Sequence, residues 1–171
     1  MKMSYGILSV IGILIVMVVF SGCSFWWADP QFYKTKHLGN KEGGWYVLEP
    51  EIYDEMRQPS FKTSDKLSNG YYVGVENIDD KEIIDSRITE SWVRAWYFID
   101  SSNKKHIISY YRVFVYTAYG LWLLGDEGRG FYLKNRKRFS FGNKDQKFVL
   151  KDGKVVKKFI SKDGKWVEVE N

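Results

Sequence analysis

The clearest pattern in the chain is two-residue alternation through its middle. Residues 92–100 (WVRAWYFID) and 106–117 (HIISYYRVFVYT) are rich in β-branched and aromatic side chains, hold neither Gly nor Pro, and flank the polar stretch 101–105. Side chains of these types suit a pleated, half-buried surface, so the two arms predict long strands joined by a turn. Along the second arm, Tyr111, Val113, Val115 and Thr117 share one face, and Tyr110, Arg112, Phe114 and Tyr116 share the other. Neither face is polar. Such a strand is central in a two-layer structure or lines a cavity.

Shorter signals surround this pair. Residues 43–48 (GGWYVL) predict a first strand, and Pro50 opens a short helix through Met56, with Glu51, Asp54 and Glu55 near its positive end and Pro59 beyond it. The Asn69-Gly70 turn precedes a strand over 71–76, whereas 77–87 is ambiguous between loop and one or two helical turns. Residues 121–124 and 131–133 flank the glycine-rich 125–130 as a hairpin. Farther on, Asp152-Gly153 and Asp163-Gly164 each sit within Lys-Asp-Gly-Lys between alternating apolar positions. Both residue types accept the positive φ of a type I′ turn, so ordinary meander geometry explains the repeat. The expected fold is mainly β with minor helix: an antiparallel meander closing into a barrel or forming a strongly curved sheet. A single all-β domain is expected over 43–171, with 23–42 a polar tether and entry loop.

Ahead of that domain the pattern changes. Lys2 gives a positive start, and Gly6 to Phe20 is a predominantly apolar block, long enough for a signal-peptide core and short for a membrane span. It ends in Phe20-Ser21-Gly22-Cys23, which resembles the lipobox of bacterial lipoproteins, although Phe20 stands where that class usually has Leu. The resemblance implies that residues 1–22 are removed and that Cys23 is acylated as the new N-terminus. It also implies outer-membrane sorting, because Ser24 rather than Asp follows the cysteine. The alternatives are a single-span inner-membrane anchor, with Trp26 and Trp27 in the interfacial aromatic belt, and an ordinary cleaved signal. With a lipid on Cys23, Trp26 and Trp27 would rest at the membrane interface beside it. Cys23 is the only cysteine, so acylation leaves the exported domain without a free thiol in an oxidising compartment.

Composition narrows the chemistry. Net charge is +5, and +4 once Lys2 leaves with the signal, too mild for a nucleic-acid partner and enough to favour anionic headgroups. No Gly-X-Ser-X-Gly, phosphate loop or Cys-X-X-Cys occurs, and His37, His106 and Cys23 are too few for a zinc site. No cofactor and no catalytic residue is therefore expected. Asp79, Asp80, Glu82 and Asp85 lack the order of a calcium loop, and Asp126-Glu127 suit a hairpin tip. Basic clusters at Lys104-Lys105-His106, residues 135–138 and Lys157-Lys158 suit edge protection, or a shared basic surface if they converge. Gly43-Gly44-Trp45-Tyr46 resembles the Gly-X-Trp-Tyr opening of the lipocalins, which implies a closed barrel around a small apolar ligand, but the Thr-Asp-Tyr motif of that family is absent. Trp45, Trp92, Trp96 and Phe114 are the candidate ligand or core aromatics. The expected function is a membrane-tethered envelope lipoprotein acting as a binding module, with membrane lipid at Cys23 and an envelope protein as partners. A lipocalin-like barrel is the alternative.

Overall fold

The structure is a computed structural model that describes residues 6, 9–13, 26–126, 128 and 130–169. The lipobox residues Phe20, Ser21, Gly22 and Cys23, together with Ser24 and Glu127, lie outside the described residues. Among the described residues no helix is long and apolar enough to cross a membrane.

The domain is mainly β: an eight-stranded, mostly antiparallel sheet in the order β2-β3-β4-β1-β6-β7-β8, with β5 also paired to β4. The strands are β1 (Gly44–Val47), β2 (Val73–Asp85), β3 (Ile88–Ile99), β4 (Lys105–Asp126), β5 (Gly130–Phe141), β6 (Gln146–Lys151), β7 (Lys154–Lys162) and β8 (Lys165–Val169). Of the two expected forms, barrel or strongly curved sheet, the barrel does not form. β2 and β8 end the strand order without pairing to each other, so the sheet stays open. Closure would need a further ladder between those two strands.

β4 organises everything else. Its 22 residues pair with β3 along one edge, while β1 and β5 share the other edge end to end, β1 on 109–112 and β5 on 114–126. Tyr110, Val113, Phe114, Val115 and Tyr116 are all buried, as a central strand with apolar residues on both faces requires. Beyond Tyr116, where pairing to β3 stops, β4 and β5 continue as a two-stranded arm.

Three segments depart from the sequence expectation. Residues 77–85 extend β2 as strand, interrupted by register shifts, instead of forming loop or helical turns. Residues 30–42 form α1 (Pro30–Glu42), where the sequence suggests a polar tether and entry loop. Its start is fixed locally: Asp29 caps the helix by accepting the Gln31 N–H at 2.9 Å, and Pro30 occupies the first turn, where its missing donor is not needed. Its docking is fixed by Gly39, where an added Cβ would lie 2.5 Å from Cβ of Phe141. The third departure is β4 itself, which runs without a break through residues 118–120. By contrast, the short helix α2 (Pro50–Met56) and both Asp-Gly turns form as expected; φ is 52° and 74° at Asp152-Gly153, and 50° and 76° at Asp163-Gly164.

Two buried clusters carry the core. Tyr46, Ala95, Tyr110 and Phe148 form one, with Trp92 packed against it; Leu67, Val73, Phe98 and Ile108 form the other, beside α2 side chains Ile52, Tyr53 and Met56.

Candidate functional site

The four candidate aromatics divide into two pairs. Trp45 and Trp96 line a common surface hollow, whereas Trp92 and Phe114 belong to the interior.

Trp45 stands half-buried on β1, 5.2 Å between ring centres from its cross-strand partner Tyr111. It lines two hollows. One, of about 180 Å³, is walled by Tyr53, Met56, Arg57, Phe61, Thr63 and Trp96; the other, of about 350 Å³, by Val93, Arg94, Tyr111 and Lys144. The glycines ahead of Trp45 have a packing reason: Gly44 has φ 150°, and a Cβ there would sit 2.8 Å from the Gln146 carbonyl oxygen. Arg94 reaches its hollow from a register shift in β3, with φ 50°, a conformation uncommon outside glycine. Its N–H donates to Asn77 Oδ1 at 2.8 Å, which holds that geometry. The result is an aromatic shelf rimmed by Arg57, Arg94 and Lys144. Its chemistry suits an apolar or planar group carrying negative charge, through stacking and cation contacts.

Trp92 and Phe114 serve a partly buried arginine. The Trp92 ring stacks on Tyr110 at 3.9 Å, and its Nε1–H donates to Glu90 Oε1 at 2.6 Å. Arg112 donates from Nη2 to the other Glu90 oxygen and from Nη1 to the Tyr46 hydroxyl at 3.3 Å, with its guanidinium 4.8 Å from the Phe114 ring centre. Burial works against the charge on Arg112, but the bonds to Glu90 and Tyr46 outweigh it and hold the proton more firmly than usual. Burial pushes the Tyr110 phenol up to about 12, against the pull of Arg112. The Tyr46 hydroxyl, Trp92 Nε1, both Glu90 carboxylate oxygens and both terminal nitrogens of Arg112 have partners, which is the arrangement of a structural network.

A third assembly lies where the chain enters the domain. The Asp29 carboxylate accepts from Arg87 Nη1 at 2.7 Å and from the Tyr116 hydroxyl at 2.6 Å, besides capping α1. Burial alone would raise its pKa; the Tyr116, Gln31 and Arg87 donors outweigh burial and leave it below the usual carboxylate range. Trp26, in a 3-10 turn (Trp26–Ala28), sets its ring 4.6 Å from Phe32 of α1 and 4.8 Å from Phe139 of β5. Trp27 beside it is 55% exposed. Sequence reading placed both tryptophans at a membrane interface; Trp26 packs against the domain.

The chain matches no family model, no curated protein and no solved structure.

The basic clusters do not converge. Lys104-Lys105-His106 lies at the start of β4, with Lys105 paired to Glu76 and His106 to Asp100, while residues 134–138 pair with the far part of the same strand. Lys157 pairs with Glu168 on β8. Of the acidic group, Asp80 holds Thr89 and Arg138, and Asp85 holds Lys34, so two of its members act as ties between elements. Sequence reading did not find the Asp29 hub. The Asp29-Pro30 pair was its available signal, since a capping carboxylate followed by proline marks a helix start. Nothing local in the sequence marks Glu90 and Arg112 as partners.

Proposed function

We propose that the chain is a lipid-anchored bacterial envelope lipoprotein whose β domain is a non-enzymatic binding module, with the Trp45 shelf as its contact surface and another envelope protein as its partner. The anchor reading rests on Lys2, the apolar block and Phe20-Ser21-Gly22-Cys23; Ser24 favours outer-membrane sorting. The observation that carries the binding reading is the shelf itself. Trp45, Trp96 and Tyr111 remain partly exposed around hollows rimmed by Arg57, Arg94 and Lys144, while Trp92 and Phe114 are spent on the Arg112 network. Aromatic and arginine side chains gathered at a surface are the composition of interface hot spots. The lipocalin-like alternative loses its support with the open sheet, since the Gly-Gly-Trp-Tyr stretch is accounted for by close packing against β6.

Two measurements test this reading. Intact mass of the chain extracted from bacterial membranes should show a species beginning at Cys23 with diacylglycerol and acyl mass, absent in Cys23→Ser. A photo-cross-linking residue in place of Trp45 should capture one envelope protein in cells, and the same residue in place of Tyr132 should not. An unmodified full-length chain refutes the lipid anchor; equal capture from both positions refutes the shelf.

A further inference from the structure

Trp26 follows Cys23 by only three residues, and it is already seated on Phe139. Three residues of chain span at most about 11 Å. Whatever holds Cys23 in a bilayer therefore also holds the Phe139 region of β5 close to that bilayer; the domain has no slack on which to float away.

The residues just before Phe139 are Lys134, Asn135, Arg136, Lys137 and Arg138, which line an open hollow on the β4–β5 arm. Among the described residues only Arg138 of this group has a carboxylate partner, Asp80 at 2.6 Å. Lys137 holds its ammonium 4.9 Å from the Trp122 ring centre and 5.2 Å from that of Phe139, the ring that Trp26 also touches. Lys134 lies 5.5 Å from the Tyr132 ring centre. Tyr119 and Tyr132 on the same arm are 59% and 50% exposed, and Trp27 at the chain entry is exposed as well. Cations interleaved with amphipathic rings, next to the point of attachment, match the headgroup layer, where Trp and Tyr settle and Lys and Arg reach phosphates.

We infer that the β4–β5 arm lies against the anionic phospholipid headgroups of the membrane that holds Cys23 and fixes the orientation of the domain on it. This rests on the tethered reading above. Nucleic acid would meet the same charge, but the attachment point lies beside the arm and puts lipid within its reach first. Each basic side chain near an anionic leaflet favours the docked orientation by about fivefold, so Lys134 and Arg136, which share one face of β5, together contribute about twenty-five-fold, and Lys137 on the other face adds as far as its stem reaches past the strand edge.

The test uses the full chain extracted from membranes and reconstituted into phosphatidylcholine vesicles with or without phosphatidylglycerol. A nitroxide is placed on Asn135→Cys, with Ser102→Cys in the β3–β4 turn as reference, about 50 Å away along β4. Relaxation by a nickel chelate on the lipid headgroups reports proximity. The expected result is strong relaxation at 135 and little at 102 when phosphatidylglycerol is present, lost on combining Lys134→Gln, Arg136→Gln and Lys137→Gln, and retained with Lys134→Arg and Lys137→Arg. Flotation of the chain with vesicles separates the two ideas. A chain that floats, yet shows equal relaxation at both sites or none at 135, overturns the arm docking alone and frees the arm for an acidic soluble partner. A chain that does not float overturns both.

Discussion

Replacing Arg112 by methionine tests whether the Glu90 network is structural. The methionine retains an apolar stem over Phe114 and removes the one orphaned donor of the cluster, Nε. What it leaves behind is the problem. The Glu90 side chain is only 6% exposed, and without Arg112 its charge has the Trp92 N–H for company and little water. Breaking a buried pair from one side costs about 3–5 kcal/mol, because the stranded charge must be kept in a poor medium or neutralised. For a domain of this size that corresponds to a fall in Tm of about 10 °C. Glu90→Gln added to Arg112→Met removes the stranded charge and keeps an acceptor for Trp92 Nε1. The double variant should therefore recover about 2 kcal/mol relative to Arg112→Met alone, since an apolar or neutral replacement of a buried ion pair is often nearly neutral. Urea titrations of the four proteins give the coupling directly. Additivity of the two substitutions within about 0.5 kcal/mol would refute the network, because independent sites add to that precision.

Two pH limits follow from the same structure. The Asp29 carboxyl is depressed, so its stabilisation is present above the unfolded value of 3.8 and is lost as pH falls through the lower folded value. Asp29→Asn should flatten the acid limb of Tm against pH and loosen Trp26, read as increased acrylamide quenching of its fluorescence; the depressed Asp85 and Asp100 leave part of that limb in place. At the alkaline end, burial raises Tyr110 from 10.0 to about 12. A raised phenol contributes fully below the unfolded value, and its contribution is lost as pH climbs towards the folded one, a span of two units worth about 2–3 kcal/mol. Absorbance at 295 nm should thus show a slow or late fraction of phenolate that shrinks by one tyrosine in Tyr110→Phe, the raised Tyr46, Tyr53, Tyr111 and Tyr116 supplying the rest; complete and immediate titration near pH 10 would contradict the burial.

Legibility in the sequence followed the range of the determining interactions. The Asp-Gly turns and α2 are fixed by residues adjacent in the chain, and both could be read with their boundaries. The paired strands around 101–105 were readable for the same reason, since alternation and turn chemistry are local. β2 was cut short because Asp79, Asp80, Lys81 and Glu82 look like a loop; three register shifts and the Asp80–Thr89 bond let a polar, irregular strand remain on the sheet. α1 was missed because its polar residues obscure a docking face made by Phe32 and by Gly39, whose value lies in the absence of a side chain opposite Phe141. Barrel or open sheet depended on whether β2 meets β8, a contact between strands some eighty residues apart that no local pattern encodes. At the surface, Trp45 and Trp96 were recognisable as aromatics of interest, but not their separation from Trp92 and Phe114, which register shifts in β3 decide.

The same geometry relates the proposed contact surface to the membrane. Tyr116 binds the Asp29 hub, and Tyr111 lies five residues earlier on an unbroken stretch of β4, about 17 Å along the strand. An odd spacing puts the two side chains on opposite faces, so the Trp45 shelf beside Tyr111 opens on the face away from Tyr116 and Phe32 of α1. With the arm against the headgroups, that shelf stands clear of the lipid and away from the entry of the chain. A partner could then occupy it without disturbing Trp26, Asp29 or the basic arm. Because the two surfaces share no residue, the proposed anchoring and recognition would be separable in this fold: the arm would set where the shelf points, and the shelf what it meets.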